Sequence, residues 1–187
     1  MLGRLLTIPF GSVWELKEKC NSSFNITQKI SRTIYQIYQY ENCSSIAWNS
    51  KFSGEPCFPH GIKSIFISGE AEIGKNCVIF QQVTIGSVSL IGSRSNGAPS
   101  IGDNVYIGAG AKIIGAVKVG NNVRIGANAV IHTDVPDNTT VVVGEQRLIT
   151  RETPLDNRFF SNRRGIRKFF HDGKWIAEQG APKGGAR

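Results

Sequence analysis

The chain has 187 residues, of which 40% are hydrophobic and 19% are charged, and its formal net charge is +8. These values fit one ordinary globular domain and exclude a disordered or low-complexity chain. No apolar run is long enough to span a bilayer, and residues 5–9 are too short for a signal-peptide core, so we expect a cytoplasmic protein. The basic balance suggests an anionic partner, but nucleic acid is not expected because no nucleic-acid-binding motif is present.

Residues 1–45 form the first predicted segment and show helical spacing. Apolar residues recur three or four positions apart within residues 14–20 and again within 26–38, which predicts two helices. Ser12 is the predicted N-cap of the first, and Asn25 or Thr27 of the second. We expect their apolar stripe to pack on the end of the next domain or on a neighbouring subunit.

An apolar residue recurs every six positions through the middle of the chain. After an imperfect start at residues 46–66, the period runs through Ile67, Ile73, Ile79, Ile85, Ile101, Ile107, Ile113, Val119, Ile125 and Ile131. Four positions after most of these stands a small residue or a valine, as at Ala71 and Cys77. A six-residue period predicts a parallel β-helix of triangular cross-section, whereas sandwich strands would give a period of two.

Two further features of the repeat predict its corners. Glycine often follows the apolar residue, and we expect glycine and asparagine where the backbone φ turns positive. The asparagines that suit this role are Asn76, Asn104, Asn122 and Asn128. Cys77 falls at an inward position and is expected to be a reduced core thiol.

Residues 86–100, rich in glycine and serine, interrupt the repeat and predict a loop extruded from a corner. Loops on rigid scaffolds often carry functional sites, although a tolerated insertion is the alternative. Pro136 ends the repeat, and residues 141–143 are expected to form a closing strand.

The C-terminal extension, residues 146–180, is basic and aromatic. Its cationic residues include Arg151, Arg158, Arg163, Arg164, Arg167 and Lys168. The aromatic spacing predicts a short helix and a hydrophobic wrap. Its charge suits a solvated tail, binding of a phosphate-bearing cofactor or an anionic glycan, or peripheral association with acidic lipid headgroups. Residues 181–187 are interpreted as a flexible end or an expression remnant.

Three histidines are available for acid–base chemistry. His132 and His171 lie near the end of the repeat and in the basic extension, whereas His60 stands between Pro59 and Gly61, just before the regular hexads. An imidazole titrates near neutral pH, so His60 is a candidate general base, although a lone surface histidine is more often structural. The four cysteines have no zinc spacing, and no metal is expected.

Four stretches together resemble one enzyme family: PHG at 59–61, VTIG at 83–86, IGAGAKIIG at 107–115 and VPDNTTVVVGE at 135–145. They are similar to the hexapeptide-repeat acetyltransferases, in the branch of serine O-acetyltransferase and the exopolysaccharide O-acetyltransferases. The resemblance covers residues 46–145. It implies an all-β, left-handed parallel β-helix that uses acetyl-CoA as co-substrate and forms a homotrimer with active sites between subunits.

The same resemblance implies roles for individual residues. His60 matches the catalytic base, and Gly86 matches a position near the thioester. The cofactor-binding candidates are Gly86, Ala109, Gly110, Ala111, Lys112 and Ala127, with Lys112, Lys118 and arginines of the extension facing the CoA phosphates. The candidates for acceptor binding are Glu70, Gln82 and Arg94, and the alternative partner of Arg94 is the CoA of a neighbouring subunit.

Two departures from the serine acetyltransferases bear on the acceptor. Ser45 stands where those enzymes have an aspartate that orients the histidine, and Gly97-Ala98 replace an Arg-His pair that holds the carboxylate of serine. The remaining candidates for orienting the base are Glu55, Glu70, Glu72 and a backbone carbonyl.

We therefore expect an O-acetyltransferase that acts on a sugar hydroxyl of a capsular, exopolysaccharide or lipopolysaccharide precursor. The alternatives are a divergent serine O-acetyltransferase of cysteine biosynthesis, N-acetylation of an amino sugar nucleotide, and a non-catalytic β-helix that binds an anionic partner through its basic extension.

Overall fold

The computed structural model describes residues 2–21, 26–90, 92–144, 147–163 and 166–178. Helices come first: α1 (Leu2–Thr7), a 3-10 turn (Ile8–Phe10), α2 (Val13–Lys19) and α3 (Ile26–Glu41). Ser12 caps α2 as predicted, because its hydroxyl accepts the amide of Glu15 at 3.1 Å. Thr27 lies inside α3, and Asn25 lies outside the described residues. No helix in the described ranges combines the length and hydrophobicity needed to cross a membrane.

Short strands follow in chain order. They are β1 (Ser45–Ile46), β2 (Lys51–Phe52), β3 (Phe66–Ile67), β4 (Glu72–Ile73), β5 (Val78–Ile79), β6 (Thr84–Gly86), β7 (Ser100–Ile101), β8 (Tyr106–Ile107), β9 (Lys112–Ile114), β10 (Lys118–Val119), β11 (Arg124–Ile125), β12 (Val130–Ile131) and β13 (Thr139–Val142). The chain moves from one sheet to the next after each strand, so the strands wind into coils.

The coils present three faces, each a parallel sheet. Face A contains β1, β3, β6, β9 and β12, face B contains β2, β4, β7 and β10, and face C contains β5, β8, β11 and β13. On face A, Phe66 pairs with Thr84, and Thr84 pairs with Lys112. More residues separate the second pair because the extruded loop lies between its two members. The predicted parallel β-helix is confirmed, and its parallel faces fit the left-handed form.

The hexad residues form the core of this prism. All ten predicted inward residues are at most 3% exposed, and each packs beside its counterpart one coil away, as Ile85 pairs with Ile113. The second inward positions, from Ala71 to Val135, are also buried. Burial of each aliphatic side chain contributes about 1.5–3 kcal/mol, so the period is the main source of stability in this part of the chain.

The corners confirm the prediction for asparagine. Asn76, Asn104, Asn122 and Asn128 have φ values of +55°, +56°, +55° and +58°. The side chains of Asn104 and Asn122 are hydrogen-bonded at 3.2 Å, which links one coil to the next along the corner.

The glycines that follow the inward residues do not serve the predicted purpose of allowing a positive φ. Glycines that follow the inward residue, such as Gly102 and Gly108, do not have positive φ. They are small because the next coil lies directly against them. A Cβ on Gly102 would lie 2.8 Å from the carbonyl carbon of Gly120, and one on Gly108 would lie 2.6 Å from the amide nitrogen of Ala127.

The C-terminal extension differs from its prediction. The closing strand β13 pairs antiparallel with β14 (Arg147–Thr150). Beyond it, β15 (Phe160–Arg163), β16 (Ile166–His171) and β17 (Lys174–Ala177) form a separate antiparallel sheet instead of the predicted helix. Asp172 and Gly173 both have positive φ, at +45° and +73°, and this Asp-Gly pair makes the tight hairpin turn that the helical interpretation overlooked. Arg164, Glu145 and residues 181–187 lie outside the described residues.

Two neighbouring residues of β12 test the inward stack. Ile131 is 0% exposed and Val130 is 57% exposed. Ile131→Ala should lower the free energy of unfolding by about 2–5 kcal/mol, because it leaves a cavity in the core. Val130→Ala should change it by about 0.5 kcal/mol. Urea denaturation at equal protein concentration measures both, and equal losses would contradict the assignment of the two faces.

The four thiols provide an independent test of burial. Cys20, Cys57 and Cys77 are buried and Cys43 is exposed. Burial raises the pKa of Cys57 and Cys77 to about 12 and that of Cys20 to about 11. Since only the thiolate reacts, these three stay protonated and unreactive at pH 8. Mass spectrometry should show iodoacetamide on Cys43 first and on all four only after unfolding; rapid labelling of Cys77 in the folded protein would refute this packing.

Candidate active site

One edge of the prism collects most of the predicted site residues. We call it the C–A edge, because the chain crosses it from face C to face A at residues 58–65, 80–83, 108–111 and 126–129. The crossings are stacked by backbone hydrogen bonds: the Gly110 amide donates to the Gln81 carbonyl at 3.0 Å, and the Asn128 amide to the Ala109 carbonyl at 2.8 Å. The predicted residues on this edge are His60, Gln82, Ala109, Gly110, Ala111 and Ala127.

His60 is exposed at the first of these crossings. A turn closed by the Gly61 amide donating to the Phe58 carbonyl at 3.1 Å directs it out of the prism, and Gly61 takes a φ of +71° there. The imidazole lies against the ring of Phe80, with centroids 5.8 Å apart and an interplanar angle of 60°. Within the described residues the imidazole makes no hydrogen bond, so both ring nitrogens are available to a substrate.

None of the predicted carboxylate partners pairs with His60 in the described part of the chain. Glu72, on face B, forms an ion pair with Lys51 at 2.7 Å. The pKa of Glu55 is raised by partial burial and then by the negative charge of Glu15. Ser45 lies on face A, where it pairs with Phe66. Along the described chain, therefore, an aromatic ring rather than a carboxylate contacts the candidate base.

Small residues line the C–A edge. Gly110 has a φ of +72° at its corner, and Ala127 is exposed on the next coil. Ala111 lies on the same edge, but its side chain is buried in the core, so only its backbone faces outward. Gly86 is half-buried on face A, and a Cβ there would already lie 3.1 Å from the Ile114 side chain.

Lys112 is fixed at this edge rather than free in solvent. Its ammonium donates to the carbonyls of Gln82 and Gly110, both at 2.8 Å, and so bridges two coils. Lys118, predicted with it to meet phosphates, is exposed on face B and does not lie on the C–A edge.

Glu70 and Arg94 lie at a different edge. The chain crosses from face A to face B at residues 68–71 and again through the extruded loop, and we call this the A–B edge. The loop forms a hairpin in which Val88 and Gly97 bridge, and it folds back so that the Ala116 amide donates to the Ser95 carbonyl at 2.9 Å. Arg94 is exposed near its tip. One chain therefore does not bring these two residues to the edge that carries His60.

The sequence reasoning missed Phe80, which lies at the centre of an aromatic cluster beside His60. Its ring centroid is 5.1 Å from that of Tyr106 and 5.8 Å from that of Phe159. The signal was present in the repeat: Phe80 follows the inward Ile79 at the position where most other hexads have glycine. A large aromatic residue at a position that is usually glycine indicates a role other than close packing between coils.

Two of the predicted cations of the C-terminal extension, Arg158 and Arg167, form ion pairs within the molecule. Arg158 pairs with Asp156 at 2.8 Å, which lowers the pKa of that carboxyl, and its guanidinium lies 4.5 Å from the Phe169 ring centroid. Arg167 pairs with Glu178 at 3.3 Å. These contacts leave fewer of the predicted guanidinium groups for phosphates.

Comparison with known proteins identifies the repeat. The family described as bacterial transferase hexapeptide (six repeats) matches residues 98–133. A serine acetyltransferase of Staphylococcus aureus (strain Mu50 / ATCC 700699) is 38% identical over 84 residues, which are 45% of this chain and 38% of that enzyme. This part of the chain is therefore similar to the repeat of the bacterial hexapeptide transferases.

Solved structures agree with this match. Serine acetyltransferase isoform 3 of Entamoeba histolytica, in complex with cysteine, has a TM-score of 0.59 at 30% identity, covering 75% of this chain and 50% of that chain. Soybean serine acetyltransferase complexed with serine has a TM-score of 0.60 at 28% identity, covering 72% of this chain and 53% of that chain. The chain spans about half the length of these two relatives.

The predicted sugar or polysaccharide acceptor is contradicted by these comparisons. The relatives are serine acetyltransferases, which favours the alternative given above. The sequence argument relied on the absence of an Arg-His pair at Gly97-Ala98. A missing side chain removes one anchor, but it does not exclude another cation, and Arg94 stands three residues earlier in the same loop.

Proposed function

We propose that the protein transfers an acetyl group from acetyl-CoA to the hydroxyl of serine or a closely similar hydroxy amino acid. The observation that carries the proposal is the C–A edge, where an exposed histidine stands beside stacked backbone lined by small residues. The names of the relatives support both the acetyl donor chemistry and the serine acceptor.

In this proposal the pantetheine arm lies along the C–A edge beside Ala109, Gly110 and Ala127. His60 removes the proton of the serine hydroxyl while the oxygen attacks the thioester carbonyl. The tetrahedral intermediate collapses with loss of the CoA thiolate, which takes the proton back from the imidazolium. A backbone amide near Gly86 is the group proposed to stabilise the oxyanion, and holding both substrates in one cleft supplies much of the rate.

The acceptor site is proposed to lie between subunits of a homotrimer. Arg94 and Glu70 lie on the A–B edge, away from His60 of the same chain. If two prisms pack side by side, the A–B edge of one can face the C–A edge of the next. Arg94 would then be the cation that holds the serine carboxylate, in place of the missing Arg-His pair.

His60→Ala tests the proposed base. Release of free thiol from acetyl-CoA in the presence of serine should fall by about 10²–10⁴-fold, because proton removal by a positioned group contributes that much. His132→Ala and His171→Ala are matched controls and should retain activity, since these residues lie in other parts of the fold. A wild-type protein without serine-dependent thiol release, or a fully active His60→Ala variant, would overturn the proposal.

Ala127 tests the cofactor channel. Ala127→Phe should raise the KM for acetyl-CoA by at least about tenfold, because the larger side chain fills the space proposed for pantetheine. Ala127→Ser, which keeps a small side chain, should leave the KM nearly unchanged. Steady-state kinetics with both variants, supported by calorimetric titration of CoA, make the comparison. Unchanged CoA affinity in Ala127→Phe would place the cofactor elsewhere.

A further inference from the structure

The C-terminal extension reaches the candidate base through a continuous chain of aromatic contacts. His60 lies against Phe80, and Phe80 against Phe159, each pair with ring centroids 5.8 Å apart. Phe159 in turn meets Trp175 on β17 edge-on at 5.8 Å. The antiparallel sheet β15–β17 is thereby connected to an imidazole that lies 100 residues before the first residue of that sheet, Phe160.

The segment that carries Phe159 is firmly attached to face C. Asn157 is buried, and its side-chain amide donates to the Asn104 carbonyl at 2.6 Å. Its side-chain oxygen accepts Nε of Arg124, the outward residue of β11, at 2.7 Å. Asn157 therefore spans two coils of the β-helix, and Phe159 follows it two residues later. The hairpin turn adds a second attachment, because the Asp172 amide donates to the Asn76 side chain at 3.0 Å.

Packing is what limits the orientation of His60. No hydrogen bond within the described residues restrains the imidazole, which lies against the ring of Phe80. Phe80 is itself held between Tyr106 of the β-helix and Phe159 of the extension. Removing Phe159 would open one side of Phe80, and the imidazole would then sample more rotamers.

We propose that Phe159 is a positioning residue, which holds the His60 imidazole in its reactive orientation through Phe80 and makes the C-terminal extension a wall of the active site. This inference rests on the proposed function. It gives the extension a role that does not depend on its charge, and it explains why an aromatic residue replaces glycine at position 80.

The first readout is spectroscopic and needs no turnover. The chain has three histidines, so the ring signals in ¹H–¹³C spectra of histidine-labelled protein can be assigned by substituting each in turn. Phe159→Ala should shift the His60 signals, because they lie in the ring-current field of Phe80. Phe169→Ala is the matched control. It should shift the signals of His171, whose ring is 6.4 Å from that of Phe169, and leave those of His60 unchanged.

The second readout is the division between kcat and KM. Phe159→Ala should lower kcat for serine-dependent thiol release by about tenfold, with little change in the KM for acetyl-CoA, because misplacement of a reacting group costs rate rather than binding. Phe159→Tyr, which keeps the ring, should restore kcat, and Phe159→Leu should be intermediate. Phe169→Ala should retain wild-type kcat.

The outcomes separate this inference from the function on which it rests. Unshifted His60 signals in Phe159→Ala, or a kcat equal to that of wild type, would overturn the positioning role even where His60→Ala is inactive. A fully active His60→Ala would refute the proposed base, whatever Phe159→Ala does to the spectra. If Phe159→Ala does not fold by circular dichroism, the same criteria apply to Phe159→Leu.

Discussion

The stacking of one aliphatic side chain on its counterpart in the next coil is the interaction on which the rest of the structure depends. Because the chain crosses faces A, B and C in turn, a residue such as Ile107 meets Ile125 only if every intervening hexad keeps its length. The extruded loop is tolerated for the same reason: it leaves and re-enters at one edge and does not disturb the register. Backbone atoms at the edges are consequently aligned from coil to coil.

The candidate active site is a consequence of that alignment. A stacked edge presents a regular row of backbone groups, and small residues there let an extended ligand lie close to the prism. Lys112 shows how well fixed this edge is, since its ammonium bridges the Gln82 and Gly110 carbonyls of two coils. The regular edge alone has no acid–base group. His60 supplies one from an irregular turn, and in the described residues the ring of Phe80, not a carboxylate, lies against it.

The features that recur in every coil were predicted well from the sequence. The inward residues and the corner asparagines followed from the period, because a residue that recurs at each coil meets the same environment each time. The reason for the glycines was misjudged, since contact with the next coil depends on the distance between coils and not on local conformation. The extension was misjudged because Phe159, Phe170 and Trp175 have no period. Their rings contact one another and Phe80, which are separated in the sequence. The acceptor was misjudged because the argument rested on absent side chains.

The extension changes how the molecule is understood as a whole. A β-helix ends where its hexads end, yet here the chain turns back along face C and is fastened by Asn157 to the Asn104 carbonyl. Arg158 is engaged with Asp156 and Arg167 with Glu178, and packing is the clearest contribution of the extension. The β-helix, its C–A edge and the C-terminal extension therefore all contribute to the surroundings of His60.

A crystal structure of the protein with bound CoA tests this account most directly. The account predicts pantetheine along the C–A edge, beside Gly110 and Ala127, with the CoA sulfur within reach of the His60 imidazole. It also predicts that a neighbouring subunit brings Arg94 to the same cleft. CoA bound on another face, or with its sulfur far from His60, would contradict the central claim.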